Sequence, residues 1–213
     1  QAIDKCETAF YKACDLFDDW QRSDAGELEE FKDMLSGEDC LPSHEDNENW
    51  YSPEELYAPY RLEAFSSQAA ILPFRNLRKL NAELLTELGI TDDPETELVV
   101  AHLEHCIETE AKPAKTVYQI LNERSAKEDA EDQITTLATQ ACIYYESRNK
   151  FLRPNQLFWT APNLGNRALM VPAALNEYRR LFELLGVKDV PTPLDHLTIV
   201  QDIINELGDT GVP

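Results

Sequence analysis

His102, His105 and Cys106 are spaced three and four residues apart, which brings their side chains to one side of a helix. Imidazole with thiolate at that spacing is zinc chemistry. A structural zinc takes four ligands, however, and no nearby residue completes the set. His102 and Cys106 also fall on the apolar stripe of their helix, so the trio reads as a half-buried helix face. A cysteine–histidine nucleophile would need its thiolate in positive surroundings. Here 40 Asp and Glu face 19 Lys and Arg, a net charge of −21, and such surroundings hold a thiol protonated. Asp46, Glu48 and the asparagines beside them resemble a calcium loop in composition. They lack the central glycine and terminal glutamate of one, and read as a solvated hairpin turn. With so many carboxylates, any acid–base pairing of two of them carries no information. No catalytic residue, cofactor or metal is expected.

Aromatic side chains are the remaining chemistry. Trp50, Tyr51 and Tyr57 precede one apolar segment; Phe158 and Trp159 precede another, with Arg167 in the polar stretch Pro162–Arg167 between. Aromatics repeated on hairpins form a partner-binding ridge. They equally suit a small core where a hairpin packs on helices.

These residues recur in order. Cys40, Pro53, Pro73, Gly89 and Pro94 have counterparts in Cys142, Pro154, Pro172, Gly186 and Pro191, at offsets of 102, 101, 99, 97 and 97 residues. The offset drifts as small loop deletions would make it drift. Tyr11 and Tyr118, 107 apart, and Phe31 and Leu137, 106 apart, extend the match to the opening helices. The chain therefore reads as two tandem units, 1–110 and 111–213. A chain of repeated units is usually a binding or scaffolding surface.

Each unit reads as helix, helix, hairpin, strand, helix, helix. Three- and four-residue apolar steps place helices over 2–20, through Leu28–Leu35, from Leu77 to Leu88, and from Thr91 through Ile107. The second set covers 115–124, 129–140, 174–185 and Pro191–Gly208. Cys40–Pro42 with Trp50-Tyr51, and 141–145 with Phe151-Leu152, read as hairpins. Ala69–Leu72 and Ala168–Val171 read as single strands. Ser52-Pro53-Glu54-Glu55 has the cap, proline and acids of a short helical turn. The fold class is α+β: in each unit, short antiparallel strands (a hairpin plus one strand) flanked by helices.

The acidic balance argues against nucleic acid and anionic membranes as partners and favours a protein partner, one with a basic surface. Five cysteines cannot all pair internally and lack the spacing of a secreted framework. No signal peptide, glycosylation acceptor or run of about 18 apolar residues occurs. The expected setting is cytoplasmic. The chain opens at Gln1 directly in helical sequence, and reads as a segment of something longer.

The doubled stretches Cys40–Tyr57 and Cys142–Phe158, Ile71-Leu72-Pro73 and Met170-Val171-Pro172, and Leu88–Pro94 and Leu185–Pro191 resemble the repeating modules of sacsin and its relatives, including the plant NO VEIN type. The resemblance implies a large polypeptide with an Hsp90-like ATPase lobe elsewhere. It also implies a non-catalytic scaffold or chaperone-like role for this segment, with protein clients and the other lobes as partners. The nucleotide site of such a lobe has no counterpart here: Asp209-Thr210-Gly211-Val212-Pro213 has proline where its second glycine belongs. The alternatives are a free-standing acidic adaptor or inhibitor, and a hydrolase with a site in a cleft between the units.

Overall fold

The computed structural model describes residues 2–23, 25–35, 38–43, 49–74, 76–160 and 168–209. The chain divides into two compact units, Gln1–His102 and Leu103–Pro213. Both mix helices with two- and three-residue strands, an α+β fold.

The first unit opens with α1 (Ala2–Ser23) and α2 (Ala25–Leu35). α1 buries Phe10, Tyr11, Ala13, Cys14 and Phe17, the stripe its three- and four-residue spacing dictates. Phe74 closes on that stripe, its ring centroid 5.2 Å from Phe10 and 5.8 Å from Tyr11. β1 (Leu41–Pro42) and β2 (Trp50–Tyr51) form an antiparallel hairpin with Leu41 opposite Tyr51. A 3₁₀ turn, Pro53–Glu55, follows. The Glu55 carboxylate accepts from the Ser52 amide and hydroxyl, both at 3.0 Å. Tyr57 then bridges in parallel to Ile71 and to Thr91.

The helix expected from Leu77 to Leu88 is split. A 3₁₀ turn spans Leu77–Lys79, and α3 runs only Ala82–Glu87. Asn81 is the cause: its side-chain oxygen accepts from the amides of Glu83 and Leu84 and starts a new helix there. Gly89, at φ +79°, ends α3, with the Ile90 amide donating back to the Leu85 carbonyl. α4 (Thr96–Glu108) comes next, and the division between the units falls within it.

In the second unit α5 (Lys115–Arg124) buries Val117, Tyr118, Ile120 and Leu121. α6 (Glu128–Thr135) follows and tightens into a 3₁₀ turn over Thr136–Thr139. β3 (Ile143–Tyr145) and β4 (Lys150–Leu152) make the second hairpin. Its turn passes through Asn149 in the left-handed region, and the Tyr144 hydroxyl donates to the Asn149 side chain at 2.6 Å. After a 3₁₀ turn at Pro154–Gln156 come β5 (Leu157–Phe158) and β6 (Leu169–Met170).

β5 and β6 pair in parallel, which corrects the expectation of an antiparallel strand in each unit. The chain leaves β5 and must return to its starting end before β6, and parallel strands need such a crossover. A 3₁₀ turn over Ala173–Tyr178 leads into α7 (Arg179–Leu184), which Gly186 closes at φ +101°. α8 (Pro193–Asp209) is the last element. The core of this unit holds Tyr118, Tyr178 and Phe182, with Tyr118 edge-on to Phe182 at 5.6 Å.

Candidate functional site

Hydrogen bonds and burial decide the fate of each chemical candidate. His102 is buried, and its Nδ1 lies 2.7 Å from the Ser67 hydroxyl oxygen, which also accepts from Gln68 Nε2 at 3.0 Å. His105 is exposed on another face of α4 and Cys106 is buried. The trio is not brought together, and among the described residues no three His, Cys, Asp or Glu side chains are placed to hold a metal ion. The serine–histidine contact spans 35 residues and left no sequence signal.

All five cysteines are free thiols. Burial pushes Cys142 up to about 12, and burial likewise raises Cys6, Cys14, Cys40 and Cys106. Each is a neutral packing group at pH 7, not an activated nucleophile. Asp46 and Glu48 lie outside the described residues, as do Arg167 with the rest of Pro162–Arg167, and Thr210–Pro213.

The aromatic residues separate into surface and core. Trp50 is 36% exposed at the edge of its hairpin and Tyr51 is half-buried. Tyr57 packs edge-on to Phe65 at 5.1 Å. Phe158 is 1% exposed, so it cannot contribute to a contact ridge. Its place in β5 explains this: one side bonds to β6, and the chain beyond it bonds to Lys188. Trp159 is half-buried, stacked on Phe182 at 6.4 Å, with the Arg179 guanidinium 4.9 Å above its ring. Arg179 is held there by Glu183 at 2.6 Å and Asp189 at 2.7 Å. The indole Nε1 of Trp159 is buried without a hydrogen-bond partner among the described residues.

The described residues form grooves in at least two places, and neither of these gathers a reactive set. One, of about 330 Å³, lies beside α3 and is lined by Tyr60, Leu85, Thr86, Gly89, Thr91 and Asp92, among others. The other, about 530 Å³, lies along the start of α8 between Pro191, Pro193, His196, Leu197 and Val200. The second belongs to an uncharged stripe that sequence reasoning missed. Apolar periodicity marks a helix face but does not tell whether anything covers it. Leu194, Leu197, Val200 and Ile204 all stand exposed. Among the described residues, no helix is long and apolar enough to cross a membrane.

Compared with protein-family models, curated proteins and solved structures, the chain finds no match.

Proposed function

We propose that the chain is a non-catalytic protein-interaction segment, made of two descendants of one module of the sacsin and NO VEIN kind. One observation carries the reading: equivalent atoms make equivalent bonds. The Ala58 amide donates to the Thr91 carbonyl at 2.8 Å, and the Trp159 amide to the Lys188 carbonyl at 3.0 Å. The Leu72 amide donates to Tyr57 at 3.0 Å, and the Val171 amide to Phe158 at 2.9 Å. Glu55 accepts from the Ser52 amide as Gln156 accepts from the Arg153 amide, both at 3.0 Å. The Ile90 amide reaches Leu85 and the Val187 amide reaches Phe182, each at 2.8 Å. These pairs keep the 97-to-101-residue offsets of the repeated prolines and glycines. Side chains differ at many of the positions, and the backbone pattern is retained.

The residues support interaction over catalysis. The thiols are neutral, the grooves are open, and the strongest unclaimed surface is apolar. The segment acts in the cytoplasm, as its free cysteines suit. It holds protein clients or neighbouring lobes of the same polypeptide, and the net charge of −21 selects clients with basic patches.

Light scattering from a heat-unfolded basic client tests this. Scattering falls at equimolar chain, does so equally with and without ATP, and recovers as salt is raised. Unchanged scattering at tenfold excess of chain removes the client-holding role. The duplication has its own test. Amide exchange should protect Ala58 and Trp159 alike, and Ile90 and Val187 alike; fast exchange at one member of each pair contradicts it.

A further inference from the structure

The second unit carries its own guanidinium at a place where the first has an open groove. Arg179 is the first residue of α7. Its guanidinium lies 4.9 Å over the Trp159 ring, with Nε 2.6 Å from Glu183 and Nη2 2.7 Å from Asp189. At the 97-residue offset that relates Gly186 to Gly89, Asp189 corresponds to Asp92 and Glu183 to Thr86. Arg179 corresponds to Ala82, the first residue of α3. The backbone around these positions matches as well: the Trp159 amide donates to the Lys188 carbonyl as the Ala58 amide donates to Thr91. The first unit thus keeps the carboxylate and lacks the guanidinium that engages it.

Ala82, Thr86 and Asp92 all line the groove of about 330 Å³ beside α3. Tyr60 lines it too, 37% exposed. It brings an aromatic ring two residues beyond Ala58, the counterpart of Trp159, and Leu85 adds apolar surface. Among the described residues Asp92 makes no ion pair, whereas Asp189 holds Arg179. An acid and an aromatic ring in one small groove recognise a cation. A planar guanidinium suits both, since it stacks on a ring while donating two parallel N–H bonds to a carboxylate. The volume is at the small end for a binding pocket and suits one side chain rather than a folded element.

We propose that the groove beside α3 takes an arginine side chain from a basic segment of a protein partner, seated as Arg179 is seated in the second unit, with Asp92 accepting from the guanidinium and Tyr60 against it. The inference rests on the duplication and protein-interaction reading above, and gives the partner's chemistry at one site. The net charge of −21 draws any basic segment towards the chain. The groove distinguishes arginine from lysine, whose compact ammonium neither stacks nor forks.

Amide chemical shifts of the full chain, titrated into the millimolar range with the tripeptide acetyl-Gly-Arg-Gly-amide, supply the test. Shifts should saturate and centre on Gly89, Thr91 and Asp92. The same tripeptide with lysine should bind ~3-fold or more weakly, and with uncharged citrulline not detectably. Asp92→Asn should weaken arginine binding ~5-fold. Ala82→Arg, at an exposed position, should abolish it, because the chain then supplies the guanidinium itself. Circular dichroism checks that both variants fold. Shifts that never saturate, or that spread over acids throughout the chain, overturn the proposal. So does lysine binding as well as arginine, or an Ala82→Arg chain that binds like the parent. None of these outcomes touches the paired amide protection that tests the duplication. A chain that lowers client scattering while ignoring the tripeptide loses this site and keeps the client-holding role.

Discussion

The Tyr118 hydroxyl donates to the Cys142 carbonyl at 2.9 Å and accepts from the Tyr144 amide at 2.8 Å. It fastens β3 to α5 from inside the core, at two backbone groups that flank Ile143. Its burial drives the phenol's pKa far up, so it stays a donor at every pH of interest. Tyr118→Phe keeps the ring and strands both backbone partners. The expected cost is about 2–3 kcal/mol, read as a lowered urea midpoint at unchanged slope. A cost near zero would mean that water replaces the hydroxyl. Asp195 makes a titratable counterpart at the start of α8. Burial opposes its ionisation, but hydrogen bonds from Lys188 at 2.7 Å and from the Thr192 amide and hydroxyl pull it down to about 2. A carboxyl held below its ordinary value stabilises the fold above about pH 4, and that contribution is lost as pH falls through about 2. The stability difference between the parent and Asp195→Asn should therefore shrink steadily over that interval, measured by denaturation at each pH. A difference independent of pH would assign the effect to geometry alone.

Helix ends decide more of this fold than helix interiors do. Gly89 and Gly186 sit at φ +79° and +101°, closing α3 and α7 with the same pair of backbone bonds. Gly186→Ala adds a methyl into open space, so its cost is backbone strain alone, about 1–2 kcal/mol. At Gly89 the added methyl would also meet Glu54 Cγ at 3.0 Å. Gly89→Ala should cost at least as much as Gly186→Ala in paired thermal melts; the reverse order would mean that the Glu54 side chain swings clear without loss. These glycines were legible in the sequence because a left-handed residue after an apolar run has few substitutes. α1, α4, α5 and α8 were legible too, since ten or more residues give the 3.6-residue period room to show. Asn81 hid a helix start inside a leucine-rich run, and the apolar pattern alone reads straight through it. The strand at Ala168–Val171 marked β6, but β5 and its parallel pairing were out of reach for a different reason. A two-residue strand carries no alternation, and a parallel partner twelve residues on is not encoded by any turn. Phe158 followed from that miss: without β5 its ring has no strand to bury it.

At the scale of the whole chain, charge is the dominant unbalanced quantity. Ion pairs such as Lys32 with Glu87 at 2.8 Å and Arg179 with Asp189 at 2.7 Å lie at the surface and engage cations that are already outnumbered two to one. Exposed pairs of this kind contribute only ~0–1 kcal/mol each. With 19 Lys and Arg against 40 Asp and Glu, the excess acids repel one another over distances up to the screening length of about 10 Å at 0.1 M salt. Folding draws these charges closer than they stand in the unfolded chain, so repulsion weighs on the native state. Added salt screens both states but relieves the compact one more. Thermal midpoint should therefore climb by several degrees between 0.02 and 0.3 M NaCl, at protein concentrations too low for self-association. Potassium and sodium chloride should act alike, since screening depends on ionic strength and not on cation identity. A midpoint that stays flat would mean that the acids are spread too widely to interact. A response to one cation alone would transfer the effect from screening to a specific carboxylate site.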